Sequence, residues 1–168
     1  MNYSGIKYAD MINGRGIRVS LFVSGCIHKC NGCFNKDTWN PHFGKPFSKD
    51  IEEEILTYFE KYRSSLSGIS LLGGDPTYHD NLGPLTNFIK KFKTIFSEKD
   101  IWIWSGYKWE EITENNNILE LVSQCDVLID GKFDIKEKNP NLKWKGSNNQ
   151  RVIDVQKTIQ NGEITELN

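Results

Sequence analysis

Cys26-Ile27-His28-Lys29-Cys30-Asn31-Gly32-Cys33 follows directly on an alternating apolar run made of Ile17, Val19, Leu21 and Val23. Alternation with period two is the mark of a half-buried strand, here over residues 17–24, and it puts Arg18, Ser20 and Ser24 on the opposite face. A loop leaving such a strand can turn three thiols, spaced CxxxCxxC, toward one point. Iron–sulfur clusters are held by cysteine thiolates, and a cubane needs four iron ligands. Three cysteines leave one iron open, as a catalytic zinc keeps one position free. The same spacing also suits a structural zinc completed by His28 or His42, so spacing alone keeps both readings. The two-residue gaps of bacterial ferredoxins do not fit.

The rest of the chain bounds the setting. Its 168 residues are enough for one domain with a real core. Hydrophobic residues make up 38% and charged residues 26%, a globular balance. Net charge is −1 with acids and bases interspersed, so no nucleic-acid footprint is expected. No apolar run approaches the roughly 18 residues that span a membrane, and residues 1–10 lack a signal-peptide core. The expected compartment is the cytoplasm, where thiols stay reduced. Four cysteines, three of them clustered, then favour metal over disulfides. Cys125 opens an apolar run and reads as an inert packed thiol.

Outward from the cysteine loop, helices and strands alternate. Residues 1–16 are rich in Gly and Asn, and 35–49 are polar. Asp50 with Glu53 resembles a helix start, and Ile51, Ile55, Phe59 and Tyr62 continue it as a stripe. A short strand over 69–72 ends in Gly73-Gly74. Leu82, Leu85, Phe88, Ile89, Phe92, Ile95 and Phe96 form one wide apolar helix face. Residues 101–104 form a strand closed by Ser105-Gly106, and a helix over 108–123 is bent or split at 115–117. Val127-Leu128-Ile129 is a continuous apolar run, as in buried parallel strands. Residues 134–149 read as a polar loop, and Asn161-Gly162 as a hairpin turn between 155–159 and 164–167. The expected fold class is α/β. With four strands, and a fifth around 151–155, it is a single-domain partial open (β/α) barrel with a mainly parallel sheet. The domain spans 1–168, with its core over 14–155 and a tail over 156–168. In such sheets ligands bind at the carboxyl ends of strands. The loops at 26–33, 73–75, 105–106 and 130–132 should therefore meet on one face.

Several words along the chain resemble one family. They are Asn13-Gly14-Arg15-Gly16-Ile17-Arg18, residues 26–35, Gly73-Gly74-Asp75-Pro76, Trp104-Ser105-Gly106-Tyr107, Ile129-Asp130-Gly131-Lys132 and Gly146-Ser147-Asn148-Asn149-Gln150-Arg151. In this order they resemble the radical S-adenosylmethionine enzymes, and among them the activating components of anaerobic (class III) ribonucleoside-triphosphate reductases. Two positions depart: Gly32 stands where the superfamily usually has an aromatic residue, and Arg15 where proline is expected.

The resemblance implies a fold of the radical S-adenosylmethionine type. It also implies one [4Fe–4S] cluster per chain on Cys26, Cys30 and Cys33, with S-adenosyl-L-methionine chelating the open iron. Gly73, Gly74 and Asp75, or the backbone beside them, would engage the methionine ammonium. Gly32, Cys33 and Phe34 would help line the adenosyl pocket, though Phe34 reads equally as core. Asp130 and Lys132 could hold a cation or the methionine carboxylate, against the plainer reading of a solvated rim pair. Ser105 and Ser147 are weaker candidates. Trp102 and Trp104 read as core, His28 as a surface or cluster-flanking residue, and His79 as undecided. No hydrolase triad or phosphate loop stands out, because the cofactor carries the hard step.

The implied reaction is reductive cleavage of S-adenosylmethionine to a 5′-deoxyadenosyl radical. That radical would take hydrogen from a glycine of the large reductase subunit. The implied partners are that subunit and an electron donor such as flavodoxin or ferredoxin, with no nucleic acid and no membrane. The alternatives are another small radical S-adenosylmethionine enzyme (a pyruvate formate-lyase activase or a ring-contracting synthase) and a non-enzymatic zinc-stabilised binding module.

Overall fold

The computed structural model describes residues 1–167. A single seven-stranded sheet runs through it. Its strands are β1 (Asn2–Asp10), β2 (Arg18–Val23), β3 (Lys45–Pro46), β4 (Gly68–Gly73), β5 (Asp100–Trp104), β6 (Val127–Asp130) and β7 (Arg151–Asp154). Their order in space is β3-β1-β2-β4-β5-β6-β7. The central four, β2, β4, β5 and β6, are parallel and succeed one another without reversal. The helices α1 (Lys49–Lys61), α2 (His79–Ile95) and the pair α3 (Trp109–Thr113) and α4 (Asn116–Val122) are their crossovers. Strands added in one direction by right-handed crossovers place all these helices on one face.

The outer strands correct the expectation of a mainly parallel sheet. β1 pairs antiparallel with β2, β3 with β1, and β7 with β6, so the sheet is mixed. β1 lies in the stretch read only as rich in Gly and Asn, and its ladder to β2 shifts register twice, between Tyr3 and Gly5 and between Lys7 and Asp10. Each shift breaks the period of two that marks a strand. The expected tail hairpin is also corrected. Residues Val155–Asn161 form a helix, α5, whose N-cap Asp154 accepts a hydrogen bond from Lys157 N at 3.0 Å. Asn161-Gly162 ends that helix, with Gly162 left-handed at φ 73°, a helix C-terminus rather than a strand turn. The chain then returns to pair Glu166 with Ile153.

Register decides which side chains enter which layer. Leu21, Leu71, Ile103, Leu128 and Ile153 lie side by side across five strands and are buried under the helices. Phe59 of α1 and Phe88 and Phe92 of α2 complete that layer. On the other face Trp102, Val127, Ile129 and Val152 pack with Trp104, Trp144 and Leu167. Arg18 is wholly buried there, donating to Ser70 Oγ at 2.7 Å and Ile69 O at 2.8 Å, and pairing with Asp100. The start of α1 lies two residues before the expected one, with Ser48 rather than Asp50 as N-cap. The break at 115–117 is real: Asn115 caps α4 by accepting from Asn117 N and Ile118 N.

Candidate metal centre and cofactor cavity

The carboxyl ends of β2, β4, β5 and β6 meet around a cavity of about 410 Å³. Cys26, Cys30 and Cys33 all line it, each partly buried and none in a disulfide. The loop that carries them turns through left-handed backbone at Lys29 (φ 46°) and Gly32 (φ 74°), and closes with Cys33 N donating to Cys30 O at 3.1 Å. It is braced from behind by a short 3-10 turn, Lys36–Trp39, whose carbonyls at Thr38 and Trp39 accept from Gly25 N and Cys26 N. Burial pushes the Cys26 thiol up to about 11, the nearby Asp75 adding to the rise. Cys30 is raised too, chiefly by burial, while the Phe133 N–H and Lys132 pull the other way.

Gly73 and Gly74 form the opposite wall. Gly73 sits at φ 111°, and a Cβ there would stand 2.7 Å from Val23 O. A side chain on Gly74 would strike Gly25 O and Thr38 O. Only glycine lets this loop lie against the cysteine loop. Gly74 N donates to Val23 O and Asp75 N to Gly25 O, both at 2.8 Å, stitching the two loops together.

Asp75 is buried and its carboxylate faces the protein. Thr77 N and Thr77 Oγ1 donate to Oδ1 at 2.8 and 2.6 Å. Gly106 N donates to Oδ2 at 3.0 Å, and Ser105 Oγ at 3.3 Å. His28 Nε2 stands 2.8 Å from the same Oδ2, which lies off the axis of a hydrogen bond from that nitrogen.

Of the residues expected at the site, Gly32, Cys33, Phe34, Gly73, Gly74 and Asp75 border the cavity with the other two cysteines. Phe34 is 100% exposed, which corrects its reading as core. Asp130 and Lys132 do not border it. Asp130 is buried beneath the site, accepting from Trp109 N at 2.7 Å and from Arg151. Lys132 is exposed. Ser105 is buried and shares a hydrogen bond with Thr77 at 2.8 Å, and Ser147 is buried beside Gln150. His79 is exposed next to Asp80. Cys125 is fully buried, and burial raises its thiol far above the usual range.

Sequence reasoning missed the far wall. Phe133, just before the stretch read as polar loop, and Leu142 and Trp144 within it border the cavity, as does Trp104, which was read as core. The available signal was three large apolar residues in an otherwise polar segment. Trp144 is held at φ 65°, ring against Trp102 at 4.8 Å, while its carbonyl accepts from Trp104 Nε1.

Three cysteine thiols on one loop, bordering one cavity and outside any disulfide, are a donor set of the kind that holds an iron–sulfur cluster. His28 is engaged by Asp75, and His42 lies outside the cavity. The volume falls within the few-hundred-Å³ range of small-molecule sites, with aromatic side chains on one wall and bare backbone on the other. No helix among the described residues is long and apolar enough to cross a membrane.

Comparison with known proteins agrees with this geometry. The family described as a 4Fe-4S single cluster domain matches residues 12–153. The anaerobic ribonucleoside-triphosphate reductase-activating protein of Enterobacteria phage T4 is 46% identical over 154 residues, covering 90% of this chain and 93% of that one. Its namesake from Escherichia coli K12 is 42% identical over 152 residues, covering 90% and 97%. The Haemophilus influenzae protein of the same name is 40% identical with the same coverage. Identity at this level along nearly the whole length places the chain in the family of anaerobic ribonucleoside-triphosphate reductase-activating proteins.

Proposed function

We propose that this chain is the activase of an anaerobic ribonucleoside-triphosphate reductase, working on the large reductase subunit with a flavodoxin- or ferredoxin-like electron donor in the cytoplasm. The observation that carries this reading is the meeting of three half-buried thiols with the Gly73-Gly74 backbone on one cavity. A [4Fe–4S] cluster with S-adenosylmethionine bound there would supply reductive carbon–sulfur cleavage and a 5′-deoxyadenosyl radical able to take hydrogen from a glycine.

The residues of the chain do the rest. Cys26, Cys30 and Cys33 would hold three irons and leave the fourth for the methionine amine and carboxylate. The Gly73-Gly74 backbone, kept bare of side chains, would receive the methionine end, with Asp75 fixing its shape. Gly32 and Phe34 border the adenosyl side, and Phe133, Leu142 and Trp144 keep water from the reacting bond. Asp130 and Lys132 lie behind and beside this space, so their part would be to hold the loop after β6. We read the whole chain as one domain whose sheet forms a partial open barrel. Its open side, where Phe34 is exposed, would admit a polypeptide loop.

The test is anaerobic reconstitution with iron and sulfide, then addition of dithionite and S-adenosylmethionine. Deoxyadenosine should form, and a glycyl radical signal should appear when the large subunit is present. Deoxyadenosine without that signal would assign the chain to another radical S-adenosylmethionine reaction. Colourless, zinc-loaded protein from oxygen-free cells would overturn the cluster altogether.

A further inference from the structure

The cluster loop and the Gly73–Asp75 loop must hold a fixed separation if one molecule is to bind both an iron and the glycine backbone. Between them stands His28, the middle residue of the CxxxC segment. Its side chain is 4% exposed and that of Asp75 is 3% exposed. Three observations converge on the ring. Nε2 meets Asp75 Oδ2 at 2.8 Å. Tyr107 packs edge-on against it, ring centres 4.6 Å apart and planes at 79°. Gly106 passes so close that a Cβ there would lie 2.3 Å from His28 Cδ2. Gly106 has no left-handed backbone to explain it. What keeps a side chain off this position is the imidazole.

Asp75 in turn ties the turn after β4 (Thr77) to the turn after β5 (Ser105 and Gly106). The His28 ring is thus the piece of the cluster loop gripped by both neighbouring strand ends. It also borders a second recess of about 170 Å³, shared with Asp75 and Tyr107, so the pair forms the partition between that recess and the cofactor cavity.

We infer that His28 is a positioning residue, one that sets the distance between the cluster loop and the methionine-binding backbone through Asp75 and the Ser105–Gly106–Tyr107 turn. It ligates no iron and touches no reacting atom. The inference rests on S-adenosylmethionine binding in this cavity. With the ring nitrogen removed, Oδ2 keeps Gly106 N and Ser105 Oγ but meets an apolar edge in place of a polar atom at 2.8 Å. The carboxylate and the turn it holds then shift away from the ring.

The experiment uses the reconstituted full chain. His28→Phe keeps the ring and its contact with Tyr107 but loses the nitrogen, whereas His28→Gln restores a donor near Asp75. Iron per chain is measured first, then the Kd for radiolabelled S-adenosylmethionine by equilibrium dialysis, then KM and kcat for deoxyadenosine formation. His28→Phe should load iron like the wild type while Kd and KM rise at least tenfold, with kcat changing less than threefold. His28→Gln should return Kd to within threefold. Gly106→Ala, which displaces the ring without altering it, should raise Kd as His28→Phe does, and the double variant should be no worse than either alone.

Should His28→Phe fail to fold, Gly106→Ala decides by the same criterion. Unaltered Kd in both variants overturns the positioning role, as does a loss of thermal stability with Kd unmoved. Wild-type protein that loads iron but binds no S-adenosylmethionine overturns the functional reading itself, and is told apart by needing no variant.

Discussion

Asp75 commits both carboxylate oxygens to the protein: two donors from Thr77 on one side, and Gly106 N with Ser105 Oγ on the other. An acid so occupied shapes a loop rather than reaching for a ligand. Asp75→Asn would turn an amide donor toward either Thr77 N or Gly106 N, and neither backbone N–H can turn away. The expected cost is about 2 kcal/mol, read as a lowered urea midpoint with unchanged slope. The cysteines differ, because in the proposed function their partners are irons rather than residues of the chain. Cys30→Ala removes one of three thiols from a loop braced elsewhere by backbone bonds to Thr38 and Trp39. Iron content should fall steeply while the melting temperature of the metal-free protein stays within a few degrees. A zinc-stabilised module would instead unfold.

At the scale of elements, the end of β6 is fastened to α3 and β7 by charge. Arg151 reaches Asp130 and makes a two-pronged contact with Glu110, at 3.0 and 2.8 Å. The hydrogen bonds from Arg151 hold the Glu110 carboxyl down to about 2. A carboxyl lowered on folding contributes stability above its unfolded value of about 4.3, and loses it as pH falls through about 2. Glu110 is largely exposed, so solvent screening limits the contribution to under about 1 kcal/mol. Glu110→Gln should flatten the acid limb of the thermal stability curve between pH 5 and roughly 2, lowering stability at neutral pH by under about 1 kcal/mol and leaving it unchanged near pH 2.

Across the whole molecule, stability should be highest where strands have parallel partners on both sides. β4 lies between β2 and β5, and β5 between β4 and β6, with helices over Leu71 and Ile103. Native-state hydrogen exchange should therefore be slowest in β4 and β5 and fastest in the two-residue edge strand β3. Fast exchange in β5 would contradict a sheet built outward from this centre. The cavity lies at the ends of these same strands, so the best-supported part of the fold carries the loops that border it.

The amino-acid sequence by itself determined the cysteine loop after β2, the four parallel strands, the apolar helix face from Leu82 to Phe96, the split at Asn115 and the glycine turn at Gly73-Gly74. Each depends on local pattern or spacing, which the chain carries in order. Only the tertiary structure decided that the sheet is mixed, because β1 pairs through two register shifts that erase its periodicity. It also decided that Asn161-Gly162 ends a helix, that Phe133, Leu142 and Trp144 wall the cavity, and that His28 faces Asp75. These depend on which distant strand ends are brought together, and no window of neighbouring residues holds that information.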